Sequence, residues 1–312
     1  MSQKRTQKRQ YFGQSKHATG LRAVRANPEF DFYIVLDFEA TCCDTDRAFA
    51  TGKKPAFPRE HMEVIEFPSV LVDVRPMREG KPPKIVDEYQ AYVQPVLHPH
   101  LTEFCTKLTG ITQETVDAGV SFRDAFRGHQ KWLHGHGIDL RKPGTQAAIL
   151  TCGDWDLKTE LPQQLLHELH LHGTKLPYPT LYRQWINVQR VFKARHRGFR
   201  GGMMRMLEHL QIPHTGRHHS GIDDCRNTAK ILVRLLEQGS PVKLTGQLEQ
   251  NWHQNRSHVH GVQRGKPAAA KVPVRIKPVC KYDGTCHTQN PQHWKRTIHH
   301  KQNKPLARPQ AF

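Results

Sequence analysis

The chain has 312 residues, of which 37% are apolar, so it is long enough for one large domain or two small ones and is not disordered throughout. Lys and Arg number 47 against 28 Asp and Glu, a formal charge of +19 that favours a polyanionic partner. No stretch approaches the ~20 apolar residues of a membrane helix and the N-terminus lacks the apolar core of a signal peptide, so a soluble intracellular protein with no membrane partner is expected.

Residues 1–27 hold basic and polar side chains without apolar period and read as a basic flexible arm. Residues 30–38 (FDFYIVLDF) are near-continuously apolar and read as a strand buried on both faces. Two further strands are expected at 64–74 and 88–93, separated by the Pro- and Lys-rich turn 75–84. Residues 102–108 and 112–118 read as short helices broken at Gly110, and 122–134 as an amphipathic helix with Phe122, Phe126 and Leu133 in phase. A strand at 147–151 leads through the polar turn 152–156 into a helix at 157–172, stopped by Gly173. Residues 186–192 read as extended, 203–210 as helical, and 223–238 as the clearest helix, ended by Gly239. Strands first, then helices and strands in alternation, describe an α/β domain with a mixed sheet flanked by helices over residues 28–240. A basic linker is expected at 241–276, a compact island at 277–300 and a basic tail at 301–312.

Charge is uneven along this plan. Residues 1–25 carry seven basic residues and no acid, residues 238–312 carry thirteen against two, and the block between them 27 against 26. The seven cysteines are odd in number and scattered, which argues against a disulfide framework; only Cys280 and Cys286 are closely paired.

Within the neutral block, acids gather at element ends. On a strand alternate residues share a face, so Asp37 and Glu39 would point the same way, and two carboxylates that close suit a hard cation such as Mg²⁺ or Mn²⁺. A solvated strand end is the competing reading. Asp154 and Asp156 lie at a strand-to-helix junction, where ligands of open α/β sheets gather, although either could be a helix cap. In the helix from 223, Asp224 shares a stripe with Thr228, Ile231, Leu232 and Leu235, whereas Asp223 lies about 100° away and suits the helix dipole. A His five residues before Asp224, on the loop that delivers the helix, could serve as general base. Four carboxylates from three elements with one loop His describe a two-metal phosphodiester hydrolase.

The segments VLDFEATC, CGDWDL and HHSGIDDCRN, in this order, resemble the DEDDh group of 3′→5′ exonucleases. FPSVLVDV, FCTKLTGIT and RQWINVQ are similar to its enhanced-RNAi and histone-mRNA branch. The resemblance covers about residues 30–240. It implies a ribonuclease H-like fold and stepwise release of 5′-mononucleotides from a 3′ end; the expected substrate is RNA, with single-stranded DNA as a second class. By motif position it implies Asp37, Glu39, Asp156 and Asp224 as ligands of two Mg²⁺ or Mn²⁺, Glu39 also orienting water, and His219 rather than His218 as base. Asp156 is chosen over Asp154 because the branch's middle acid follows the Trp. The substrate would meet Ala40, Phe104, Trp155, Asp156 and His219, with the aromatic faces stacking on the terminal base.

In the island, Cys280, Cys286, His293 and His299 supply two thiolates and two imidazoles, a tetrahedral set for one structural Zn²⁺, with His300 as an alternative fourth ligand. The six-residue step between the cysteines is unlike that of a DNA-reading finger. The island resembles the poly(ADP-ribose)-binding zinc finger through Lys277, Tyr282 and Asn290-Pro291, but departs at Asp283 and Thr288. Poly(ADP-ribose) is therefore a further expected partner class. Two other readings stand beside the exoribonuclease: a non-catalytic binding adaptor on an exonuclease fold, and a DNA-directed trimming exonuclease.

Overall fold

The computed structural model describes residues 28–52, 54–144, 146–173 and 175–249. The basic arm, the zinc-ligand set Cys280, Cys286, His293 and His299, and the tail lie outside the described residues.

The first strand, β1 (Phe32–Leu36), is FYIVL, every residue buried, as expected for β-branched and aromatic residues covered on both faces. β2 (Glu39–Ala40) follows, then α1 (Thr45–Ala50). The long β3 (Val64–Asp73) is buried throughout, while β4 (Lys84–Tyr92) alternates towards solvent as an edge strand does. α2 (Glu103–Thr109), α3 (Gln113–Asp117) and α4 (Phe122–Gly135) each begin with a Thr or Ser cap whose hydroxyl accepts a backbone N–H. β5 (Ala147–Thr151) leads through a wide helical turn into α5 (Leu161–His172). β6 (Gln184–Asn187), α6 (Val188–Arg195), α7 (Met203–His209), α8 (Gly221–Glu237) and β7 (Gly246–Gln247) complete the order.

β3 lies between β4 on one side and β1 with β2 on the other, all antiparallel, and β5 and β6 continue parallel to β1. One face packs against α6, α7 and α8 around Tyr33, Val35, Ile186, Phe192 and Leu232. The other packs against α4 and α5 around Ile34, Phe67, Phe126, Ile149 and Leu161. No helix among the described residues is long and apolar enough to cross a membrane.

Three expectations are corrected. The strand read at 30–38 ends at Leu36, because Pro68, at the register position facing Asp37, has no N–H and the ladder lapses at Asp37 and Phe38 before resuming as Glu39 opposite Glu66. The segment 186–192 is extended only to Asn187. There the Asn187 side chain accepts the Gln189 N–H at 3.0 Å and starts α6, which buries Val188, Val191 and Phe192 at helical spacing. Finally, the chain stays on the sheet past residue 240: Val242 is buried with its carbonyl accepting the Tyr33 hydroxyl, and β7 pairs with β6.

Candidate active site

The lapse between β1 and β2 frees the Phe38 N–H, which donates to Asp156 Oδ1 at 2.9 Å. The same bond draws the turn after β5 against the end of β1. Gly221, first residue of α8, approaches so closely that a Cβ there would lie 2.7 Å from the Asp37 carbonyl and 2.8 Å from Pro68, so only glycine fits. α8 thereby delivers Asp224, on its buried stripe with Thr228, Ile231, Leu232 and Leu235, close enough for its charge to act on Asp37.

Asp37, Glu39, Asp156 and Asp224 form one electrostatic cluster. Burial, then Asp156, Glu39 and Asp224, push the Asp37 carboxyl well above its ordinary range. Burial, then Glu66, Asp224 and Asp156, push Glu39 to about 9. Burial raises Asp156 and Asp224 each to about 6, against the Phe38 amide in one case and the His219 amide in the other. Asp224 Oδ1 is buried with no hydrogen-bond partner among the described residues. Carboxylates that repel one another, with a buried oxygen unpaired, form a hard, oxygen-rich donor set that fits divalent cations.

His219 sits in the left-handed region at φ 64°, a costly conformation for a residue with a Cβ. The loop is braced to hold it. The Asn227 side chain accepts the Thr215 N–H and donates to the Thr215 carbonyl, Asp223 accepts the Arg217 N–H, and Arg217 Nη2 donates to the Lys107 carbonyl at 2.7 Å. The His219 N–H donates to Asp224 Oδ2 at 3.0 Å, and its ring stacks on exposed His218 at 3.9 Å. Ligand atoms of His218, His219 and Asp224 all lie within 4.8 Å of one another. Burial, then His218 and Arg217, hold the His219 imidazole below its usual range, which favours the neutral ring.

Asp154 is held apart from this cluster. It accepts from Trp185 Nε1 at 2.8 Å, Asn187 Nδ2 at 3.1 Å and Arg190 Nη2 at 2.6 Å, and so fastens the turn to β6 and α6. Phe104 and Trp155 are 37% and 38% exposed, and both line one cavity of about 290 Å³ with Cys42, Phe57 and Arg59. Ala40 is buried in β2, its carbonyl accepting from the Cys105 thiol.

Sequence reasoning missed Glu66. It is 1% exposed, faces Glu39 across β2 and β3, and accepts from the Gly221 and Ile222 N–H groups and from Gln90 Nε2. The signal was present, since an acid inside the buried run VIEFPSVLVD must have a partner, but its partner lies 155 residues away.

Fold and site together define an exonuclease-type α/β domain of the ribonuclease H-like kind. Residues 34–232 match the family model RNase_T, described as Exonuclease, and the chain belongs to that family. It is 37% identical over 217 residues to ERI1 exoribonuclease 3 of Mus musculus, a match covering 69% of this chain and 57% of the relative. It is 31% identical over 223 residues to 3'-5' exoribonuclease 1 of Homo sapiens, covering 70% of this chain and 56% of the relative. The chain thus spans little more than half the length of these relatives. Among solved structures, the nuclease domain of 3'hExo, described as a DEDDh family member bound to rAMP, superposes with a TM-score of 0.58 at 31% identity, covering 70% of this chain and 98% of that one. A structure described as 3'-end specific recognition of histone mRNA stem-loop by 3'-exonuclease gives 0.60 at 29% identity, covering 72% and 69%.

Proposed function

We propose that the chain is a metal-dependent 3′→5′ exoribonuclease that releases 5′-mononucleotides from RNA. The observation that carries this reading is the convergence of Asp37, Glu39, Asp156 and Asp224, with His219 on the adjoining loop, beyond the C-terminal ends of the central strands β1 and β5. Kinship to exoribonucleases supports RNA as the substrate.

The four carboxylates would hold two Mg²⁺ or Mn²⁺. When bound, these cations supply charge neutralisation for the attacking and leaving oxygens and make water more acidic. His219, neutral at working pH, takes the proton of the attacking water, and Glu39 orients that water. Phe104 and Trp155 take the terminal base between their faces, a sequence-tolerant contact worth ~1–3 kcal/mol per base. Cys280, Cys286, His293 and His299 hold a structural Zn²⁺, and the basic ends with this finger attract polyanions, poly(ADP-ribose) among them.

The test is digestion of a 5′-labelled oligoribonucleotide and its DNA counterpart with Mg²⁺. The reading expects a ladder shortening one residue at a time, faster on RNA; equal or faster digestion of DNA would make the protein a DNA-trimming enzyme. Zinc is tested by metal analysis of purified protein, expected at one per chain and lost in Cys280→Ser.

A further inference from the structure

We infer that the segment from Lys193 to Arg205 is the track for the upstream phosphates of the polynucleotide whose 3′ end lies at the acidic cluster. This rests on the exonuclease reading and extends it to the path of the strand.

Lys193, Arg195, Arg197, Arg200 and Arg205 are all exposed, and residues 188–205 contain no acid. Among the described residues none of the five is paired with a carboxylate, whereas Arg190, one helical turn before Lys193, is committed to Asp154. Such a concentration stands out in a block where basic and acidic residues balance overall. The backbone that presents it is anchored from beneath. Phe192 is fully buried and carries His196 and Phe199 on its ring, each at 4.4 Å between centroids, so the turn after α6 is packed rather than loose.

Position links this surface to the site. The Asp154 carboxylate ties α6 to the turn that bears Asp156, through Asn187 and Arg190. Gln189 at the start of α6 donates to the Cys152 carbonyl at 3.4 Å, and the Cys152 thiol feels the Asp37 and Asp156 charges and the Met203 amide of α7. The basic segment therefore begins at the β6 side of the acids. The cavity that Trp155 of that turn shares with Phe104 extends to the other side, where Cys42, Arg59 and Met62 line it around β2 and the start of β3. A terminal nucleotide held there leaves the rest of the strand to cross the acids towards β6, where five cations meet its phosphates.

The test compares wild type with the triple variant Arg195→Gln, Arg197→Gln, Arg200→Gln and with a charge control, Arg141→Gln, Lys142→Gln, placed before the opposite end of β5. KM and kcat are measured on oligoribonucleotides of two to twenty residues at several salt concentrations, and affinity is measured by anisotropy with Ca²⁺ replacing Mg²⁺. The triple variant should bind the 20-mer about tenfold or more weakly, with the salt slope reduced by ~2, near 0.7 per lost phosphate contact. Its kcat and its dinucleotide turnover should equal wild type, and the control should behave as wild type throughout. Unchanged 20-mer affinity in the triple variant, or equal weakening in the control, overturns the track. Absence of any RNA shortening by wild type would defeat the exonuclease reading instead, while the anisotropy comparison would still decide the track.

Discussion

The Glu66 carboxylate accepts the Gly221 N–H at 3.0 Å, joining the start of β3 to the first turn of α8. A second N–H, of Ile222, reaches the same carboxylate at 3.2 Å. An anion is well placed at a helix N-terminus, where the backbone N–H groups lack partners within the helix. Glu66 thus fixes the helix that carries Asp224, and after burial its charge is the first to raise Glu39. Glu66→Ala would leave two N–H groups buried without acceptors. It is expected to cost ~1–3 kcal/mol in urea unfolding and to lower kcat, while Glu66→Gln, which retains one acceptor oxygen, should lose less of both.

Asp154 and Asp156 stand two residues apart and should respond oppositely. Asp156→Asn keeps an oxygen for the Phe38 N–H and removes a buried charge from a repelling cluster. In metal-free protein it should unfold at the same or higher urea concentration, while activity is lost. Asp154→Ala strips partners from Trp185, Asn187 and Arg190, so it should destabilise the fold by ~2 kcal/mol. Equal stability of the two variants would contradict this separation of roles.

His129 offers a pH test on a group outside the acidic cluster. It is fully buried between the Tyr182 hydroxyl at 2.7 Å and the Ser69 hydroxyl at 2.9 Å, and burial lowers its pKa from 6.5 to about 3. Above pH 6.5 the ring is neutral in both folded and unfolded chains, and its contribution to stability is whole. Below it, the unfolded chain takes up a proton that the folded one refuses, so stability falls by up to ~1.4 kcal/mol per pH unit towards pH 3. Between pH 6.5 and 4.5 the unfolding free energy of wild type should therefore drop ~2–3 kcal/mol further than that of His129→Gln. Parallel pH profiles would show that the ring does not govern acid stability.

The sequence made the acids legible because they stand at the ends of strongly patterned segments: Asp37 closes a continuous apolar run, Asp156 follows a strand and Asp224 sits on a helical apolar stripe. Glu66 was hidden because an acid within a buried strand breaks a pattern without naming its partner, and Gly221 is far away in the chain. α6 was misread because Ile186, Val188 and Val191 are β-branched, and the Asn187 cap that turns the chain into a helix is a single polar residue. β7 was passed over because its two residues, in polar text, hold to β6 through pairing that no local period announces.

Glu39→Gln puts the nuclease account to its most direct trial, because it leaves the shape of the site and removes the negative charge that Glu39 would offer to bound cations. Its rate is compared with that of wild type on a 5′-labelled oligoribonucleotide in Mg²⁺, alongside anisotropy to confirm that both bind the strand. The account predicts stepwise 3′ shortening by wild type and a fall of at least ~10²-fold in the variant at equal affinity. Equal rates, or internal cleavage fragments in place of a one-residue ladder, would contradict it.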